Sequence, residues 1–206
     1  MRRPRLLLAV TLLTASMGVG AQSGAQYGPY DYTNPEHVRT KLGIVENYHF
    51  NADVENLRAG MTGTVAQDLA YTIRTFPNHH RALYAMARLW RLNEQQGKPP
   101  PGANPSQTPD YWFRRAIEFA PHDGAAPLLY GVHLHKQKKF NEALKYYKQA
   151  EQLLPDSVEV HYNLGLLYFE KKDYRLAKLH AEKAYDLGYP LPGLRNKLID
   201  AGVWKQ

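Results

Sequence analysis

"NLGLLYFEKKDYRLAKLHAEKA", residues 163–184, sets a glycine inside an apolar run, follows it with a charged turn, and then spaces alanines at helical intervals. Glycine in a helix interior costs about 1 kcal/mol against alanine, so Gly165 implies that something comes too close for a side chain. Leu164, Leu167 and Tyr168 form one helical stripe, and Tyr174, Ala177, Ala181 and Ala184 form a second. The polar "KKD" at 171–173 reads as the turn between them. Two antiparallel helices in contact need small residues at their crossing, which Gly165 and Ala177 supply. The second helix is therefore expected against Gly165, with Tyr174 filling the groove beside it.

The same pattern occurs 34 residues earlier. Residues 124–157 align with 158–191 without a gap: Gly131 falls on Gly165, Phe140 on Tyr174, Ala143 on Ala177 and Ala150 on Ala184. Tyr130 falls on Leu164 and Leu134 on Tyr168, so large and small residues match position by position. Pro155 closes the first unit, and Pro190 closes the second one place late. A fixed period of this length marks a stack of helical hairpins.

This spacing resembles the tetratricopeptide repeat, with its small residue, aromatic, two alanines and closing proline on Gly165, Tyr174, Ala177, Ala184 and Pro190. The usual tryptophan of the first helix is replaced by His161, and by Pro127 in the preceding unit. The resemblance implies an all-α fold, a short right-handed α-solenoid of about three repeats with caps. It also implies a function in holding other proteins.

The register continues upstream with an interruption. "RALYAMARLWRL" reads as a first helix with Ala87 at the glycine position, and "PDYWFRRAIEFAP" as its partner closing at Pro121. Between them lies a proline-rich insertion, 97–108. The chain therefore divides into a leader (1–21), a Tyr/Gly-rich segment (22–50), a degenerate leading helical pair (51–79) and an interrupted repeat (80–123). Two full repeats (124–157 and 158–190) and a C-terminal capping helix (191–206) follow. Asn34-Pro35 is expected to begin the first helix. Leu191, Leu194 and Leu198 are expected on one side of the cap, which a stack needs to cover its last apolar face.

Residues 1–21 pair Arg2, Arg3 and Arg5 with an apolar stretch and small residues at 19 and 21, the pattern of a secretory leader. Its apolar run is shorter than the roughly 20 residues a membrane span needs, so export without stable membrane insertion is expected, in a bacterial periplasm. "GPYDYTNPEH" and "FPNHHRAL" resemble segments of uncharacterised exported bacterial proteins, which points to the same setting. The whole chain carries a formal charge of +7, but removing the leader takes three arginines and no acid, leaving +4. That surplus does not call for nucleic acid. With no cysteine in the chain, disulfides, zinc–thiolate sites and thiol nucleophiles are absent.

No arrangement for catalysis stands out. Ser23, Ser106 and Ser157 lie outside any nucleophile motif, and Ser157 sits where it would cap a helix. Among the nine histidines no pair falls at i, i+4 on an expected helix. His133 and His135 point to nearly opposite faces, His79 and His80 read as turn residues, and His180 is expected to be partly exposed. Neither a catalytic residue, a cofactor nor a metal ligand is assigned on this reading.

The resemblance implies that the first helix of each unit lines a concave face. Its inward positions are Arg81, Tyr84, Arg88, Arg91 and Leu92, then Ala125, Leu128, Val132, His135 and Lys136, then Glu159, Tyr162, Leu166, Phe169 and Glu170. Tyr84, Arg88, Arg91, Tyr162, Leu166 and Phe169 are the expected contacts, suited to an acidic and apolar peptide. Ala87, Gly131, Ala143, Ala150, Gly165, Tyr174, Ala177 and Ala184 are assigned to structure. The family's chaperone-tail clamp needs lysine and asparagine where Leu128 and Val132 stand, so that specificity is not expected. The reading is of a non-enzymatic adaptor for envelope or secreted proteins. Its rivals are a ligand-, glycan- or metal-binding protein, and a permanent subunit of a pilus or secretion assembly.

Overall fold

A computed structural model describes residues 27–204 apart from Gln95, so the leader lies outside the described residues. Every regular element described is helical. Helix α1 (Pro35–His37) runs through a wider π-helical turn at Val38–Leu42 into α2 (Gly43–His49), and a single turn, α3 (Ala52–Glu55), follows. Then come α4 (Val65–Thr75), α5 (His80–Glu94), α6 (Pro109–Phe119), α7 (Ala125–Lys136) and α8 (Phe140–Leu153). Helices α9 (Val158–Glu170), α10 (Tyr174–Asp186) and α11 (Gly193–Asp200) complete the described chain. Adjacent helices pack in pairs, α5 with α6, α7 with α8 and α9 with α10, into a short α-solenoid.

The joints between units repeat in atomic detail. Helices α4, α6 and α8 are followed by Phe76, Ala120 and Leu154, each outside the helical region (ψ 88°, 75° and 65°) and each followed by proline, because proline's ring disfavours the helical conformation in the residue before it. Three residues on, His79, Asp123 and Ser157 donate their backbone N–H to those carbonyls at 3.0, 3.0 and 3.1 Å. The side chains of the same three residues cap the next helix, with His79 Nδ1 accepting from Ala82, Asp123 Oδ1 from Ala125 and Ser157 Oγ from Val160. Inside the two full hairpins, Lys138 and Lys172 occupy the left-handed region at φ 60° and 62°. The flanking bonds, Lys139 N to Leu134 O and Asp173 N to Tyr168 O, are likewise 34 residues apart.

The glycines show what the small positions are for. A Cβ on Gly131 would meet the Tyr147 ring at 2.5 Å. On Gly165 it would meet Leu194 Cδ2 at 2.6 Å, Ala177 O at 3.2 Å and Ala181 N at 3.4 Å. The helix expected against Gly165 is there, but the nearest atom belongs to the cap, α11. Leu194 and Leu198 are buried under the last hairpin, whereas Leu191 precedes the helix and is 58% exposed.

One segment differs from the sequence reading. The principal packing partner of α4 before α5 is α2, not the short turn at 52–55: His49 bonds Asp68, stacks on Tyr71 and accepts on its carbonyl from Thr72. The proline-rich insertion packs against the array. Pro100 is buried, Ala103 packs on the core, and Gly102 lies so close to Thr64, the cap of α4, that no side chain would fit.

Candidate binding groove

Helix α5 opens on a buried histidine. His79 Nδ1 accepts from Ala82, so its Nε2 carries the proton and donates to Glu46 at 3.1 Å. Burial pushes this imidazole below its ordinary range. Next to it, His80 donates to Asp123 at 2.7 Å, and Asn78 bridges Asp123 to Asp31. Tyr30 and Tyr32 bond Thr75 and Asn78. This network ties the segment at residues 30–32 to the joints on either side of the interrupted repeat. None of these contacts involves α9.

Beyond this anchor, α5 turns Tyr84, Arg88 and Arg91 towards α7. They share a cleft with Ala87, Leu129, Val132, His133, Lys136 and Gln137. Tyr84 is 37% exposed. Lys136 Nζ reaches its hydroxyl at 3.4 Å, and Arg88 and Lys136 lie 5.8 and 5.4 Å from its ring centre, within cation–π range. Arg81 is neutralised by Glu46 and Glu55. Arg88, Arg91, Lys136 and Lys138 make no ion pair among the described residues. The cleft thus has an apolar floor and a cationic rim. His133 forms part of its wall, and burial, reinforced by Lys139, Arg91 and Lys136 against Asp110, holds its pKa down at about 4.

The six residues singled out in the sequence are not gathered into one cleft. Leu166 lines a second depression with Val132, His135, Lys136, Tyr147 and Glu170, continuous with the first along α7. Tyr162 is stacked on Tyr189 at 3.9 Å and lies beside Gly193. Phe169 packs on Tyr174 with Lys197 over its ring. Both are partly buried under the C-terminal cap. Ala87, Gly131, Ala143, Ala150, Gly165, Ala177 and Ala184 are all buried at helix contacts, and Tyr174 is half-buried.

The chemistry-bearing side chains outside the cleft are engaged. Ser157 caps α9, and Ser106 bonds Asn104 within its loop. His180, expected to be partly exposed, is buried at 6%, because it faces His161 across the last hairpin. That pairing was accessible from the sequence: in a hairpin that turns at 171–173 with Gly165 opposite Ala177, residue 161 falls opposite 180. Searching for histidine pairs along single helices misses it.

Comparison with known proteins matches residues 131–172 to a TPR repeat model and residues 158–187 to a tetratricopeptide repeat model. Residues 131–187 are tetratricopeptide repeats. A 46-residue stretch is 46% identical to the Hsp70-Hsp90 organising protein of Plasmodium falciparum (isolate 3D7), spanning 22% of this chain and 8% of that protein. The solved structure of Pseudomonas aeruginosa PilF superposes with a TM-score of 0.55 at 20% identity, over 81% of this chain and 70% of that one. At that identity the likeness concerns the fold. Tetratricopeptide repeats are protein-interaction scaffolds, and proteins built from them are generally not catalysts. No helix among the described residues is long and apolar enough to cross a membrane.

Proposed function

We propose that this protein is a non-enzymatic adaptor of the bacterial periplasm that holds an envelope or secreted protein through an acidic and apolar segment. The observation that carries the reading is the cleft between α5 and α7, where Tyr84, Arg88, Arg91 and Lys136 surround Ala87, Leu129 and Val132. Exposed tyrosine and arginine dominate binding energy at protein interfaces, each costing about 2 kcal/mol or more when truncated at a hot spot. A peptide carboxylate would pair with Arg88 and Arg91, and an apolar side chain would cover Leu129 and Val132. Leu166 extends the track along α7, while Tyr162 and Phe169 act by fixing the cap beside it. The export pattern of the leader supports the location.

The test is photocrosslinking in cells. A photoreactive phenylalanine at Tyr84 is expected to capture an exported protein, and the adduct to vanish in the Arg88→Glu, Arg91→Glu double variant. The same probe at Lys172, on the exposed hairpin turn, is the control. An adduct indifferent to charge reversal, or equally strong at Lys172, would refute the groove. Capture of a cytosolic protein alone would refute the location.

A further inference from the structure

Three helices from two successive repeats bring donor atoms together away from the cleft. Glu151 lies in the last turn of α8, His161 in the first turns of α9 and His180 in the middle of α10. His161 is 1% exposed and His180 6%. Their rings are nearly parallel, at 20°, and their Nδ1 atoms are 3.1 Å apart. Glu151 Oε1 stands 3.7 Å from one Nδ1 and 3.8 Å from the other.

The protonation pattern follows from the partners. His161 Nε2 is 2.8 Å from the Pro155 carbonyl, which only accepts, so Nε2 carries the proton and Nδ1 presents its lone pair to His180. A neutral His180 could donate one hydrogen bond to it. That bond accounts for two of the three atoms and leaves Glu151 Oε1 beyond hydrogen-bonding distance of either ring nitrogen. A single ion accounts for all three. The point equidistant from the two nitrogens and the oxygen lies ~2.1 Å from each, within the span of zinc–nitrogen and zinc–carboxylate bonds.

We propose that Glu151, His161 and His180 bind one zinc ion that clamps the two full repeats together, with water completing the coordination. Two imidazoles and one carboxylate suit zinc and disfavour magnesium or calcium. The surroundings supply what such ligands need. The Pro155 carbonyl fixes the His161 tautomer, Lys148 Nζ holds the other carboxylate oxygen of Glu151 at 2.9 Å, and the Tyr168 ring lies against the face of His180. The ammonium groups of Lys148 and of Lys183, which donates to the same Pro155 carbonyl, oppose a second positive charge and moderate the affinity.

The full chain, stripped with chelator, is titrated with zinc, with magnesium as control, by calorimetry and thermal melting. Cobalt(II) replaces zinc for visible spectroscopy. One equivalent of zinc is expected to bind and to raise the melting temperature, and cobalt to give the absorption of a nitrogen- and oxygen-ligated ion. Glu151→Gln and His180→Gln are each expected to weaken zinc at least about tenfold. Glu151 is partly exposed, so Glu151→Gln is expected to fold without metal as the parent does, which circular dichroism in chelator checks. Absence of a stoichiometric zinc, or affinity unchanged in both ligand variants, would overturn the site. The cobalt spectrum decides independently of how the ligand variants fold, since a bound ion showing oxygen ligands alone would place the metal elsewhere.

Discussion

Gly131 and Gly165 occupy one position in the 34-residue register, yet different neighbours exclude their side chains. The Tyr147 ring fills the space at Gly131. Its counterpart in the next unit is Ala181, and there Leu194 comes in from the cap instead. The need for a small residue was legible because helix propensity argues against glycine. What fills the space was not, because Leu194 is 29 residues away along the chain and belongs to a helix outside the register. His133 supports a prediction at this scale. An exposed imidazole has a pKa near 6.5, whereas the folded protein holds this one at about 4. Between those values the unfolded chain binds a proton that the folded chain refuses, so stability is complete above pH 6.5 and falls as the pH drops towards 4. The loss from this group between pH 7 and pH 5 is about 2 kcal/mol. Urea midpoints at the two pH values are expected to differ less in His133→Gln than in the parent. An equal difference would show that His133 does not set the slope.

The helices of the two full units were readable because each carries its stripe at regular spacing, the first closing at Leu154-Pro155 and the second at the left-handed Gly188. The N-terminal helices were harder, since the wider turn at Val38–Leu42 shifts the phase of Val38, Leu42 and Val45 out of a uniform 3.6-residue period. The cap was only half readable. Leu194 and Leu198 follow helical spacing, but Leu191 precedes Pro192 and lies outside the helix. For the same reason the fate of Tyr162 and Phe169 could not be read: whether a first-helix aromatic stays open depends on how α11 crosses it. Tyr84, Arg88 and Arg91 were readable because α7 follows in register. The fully buried Leu194 carries the contact between cap and hairpin. Leu194→Ala is expected to cost about 2–5 kcal/mol. Gly165→Ala should be more harmful in the parent than on the Leu194→Ala background, where its methyl enters the vacated space. Urea titration of the four proteins measures that coupling, and additivity would contradict the packing.

On the scale of the molecule, the array has two unlike ends. At one, Tyr30, Tyr32 and the Asp31–Asn78–Asp123 network tie the chain to successive joints. At the other, α11 rests on the last hairpin. The joints themselves are interchangeable, since Phe76-Pro77, Ala120-Pro121 and Leu154-Pro155 use one set of bonds.

That difference between the ends bears on how such a chain can grow by duplication. A second copy of 124–157, spliced after Ser157, brings its own Tyr147 to fill its own Gly131, and it meets a joint it already matches. A second copy of 158–190 brings Gly165 and Ala181 but only one Leu194 to share between two hairpins, so the inner copy carries a void. Thermal melting of the two duplicated chains is expected to separate them, with the 124–157 duplicate at least as stable as the parent and the 158–190 duplicate below it. The unit whose sequence first reveals the hairpin is thus the poorer template for lengthening the array, because part of its core is supplied by the cap.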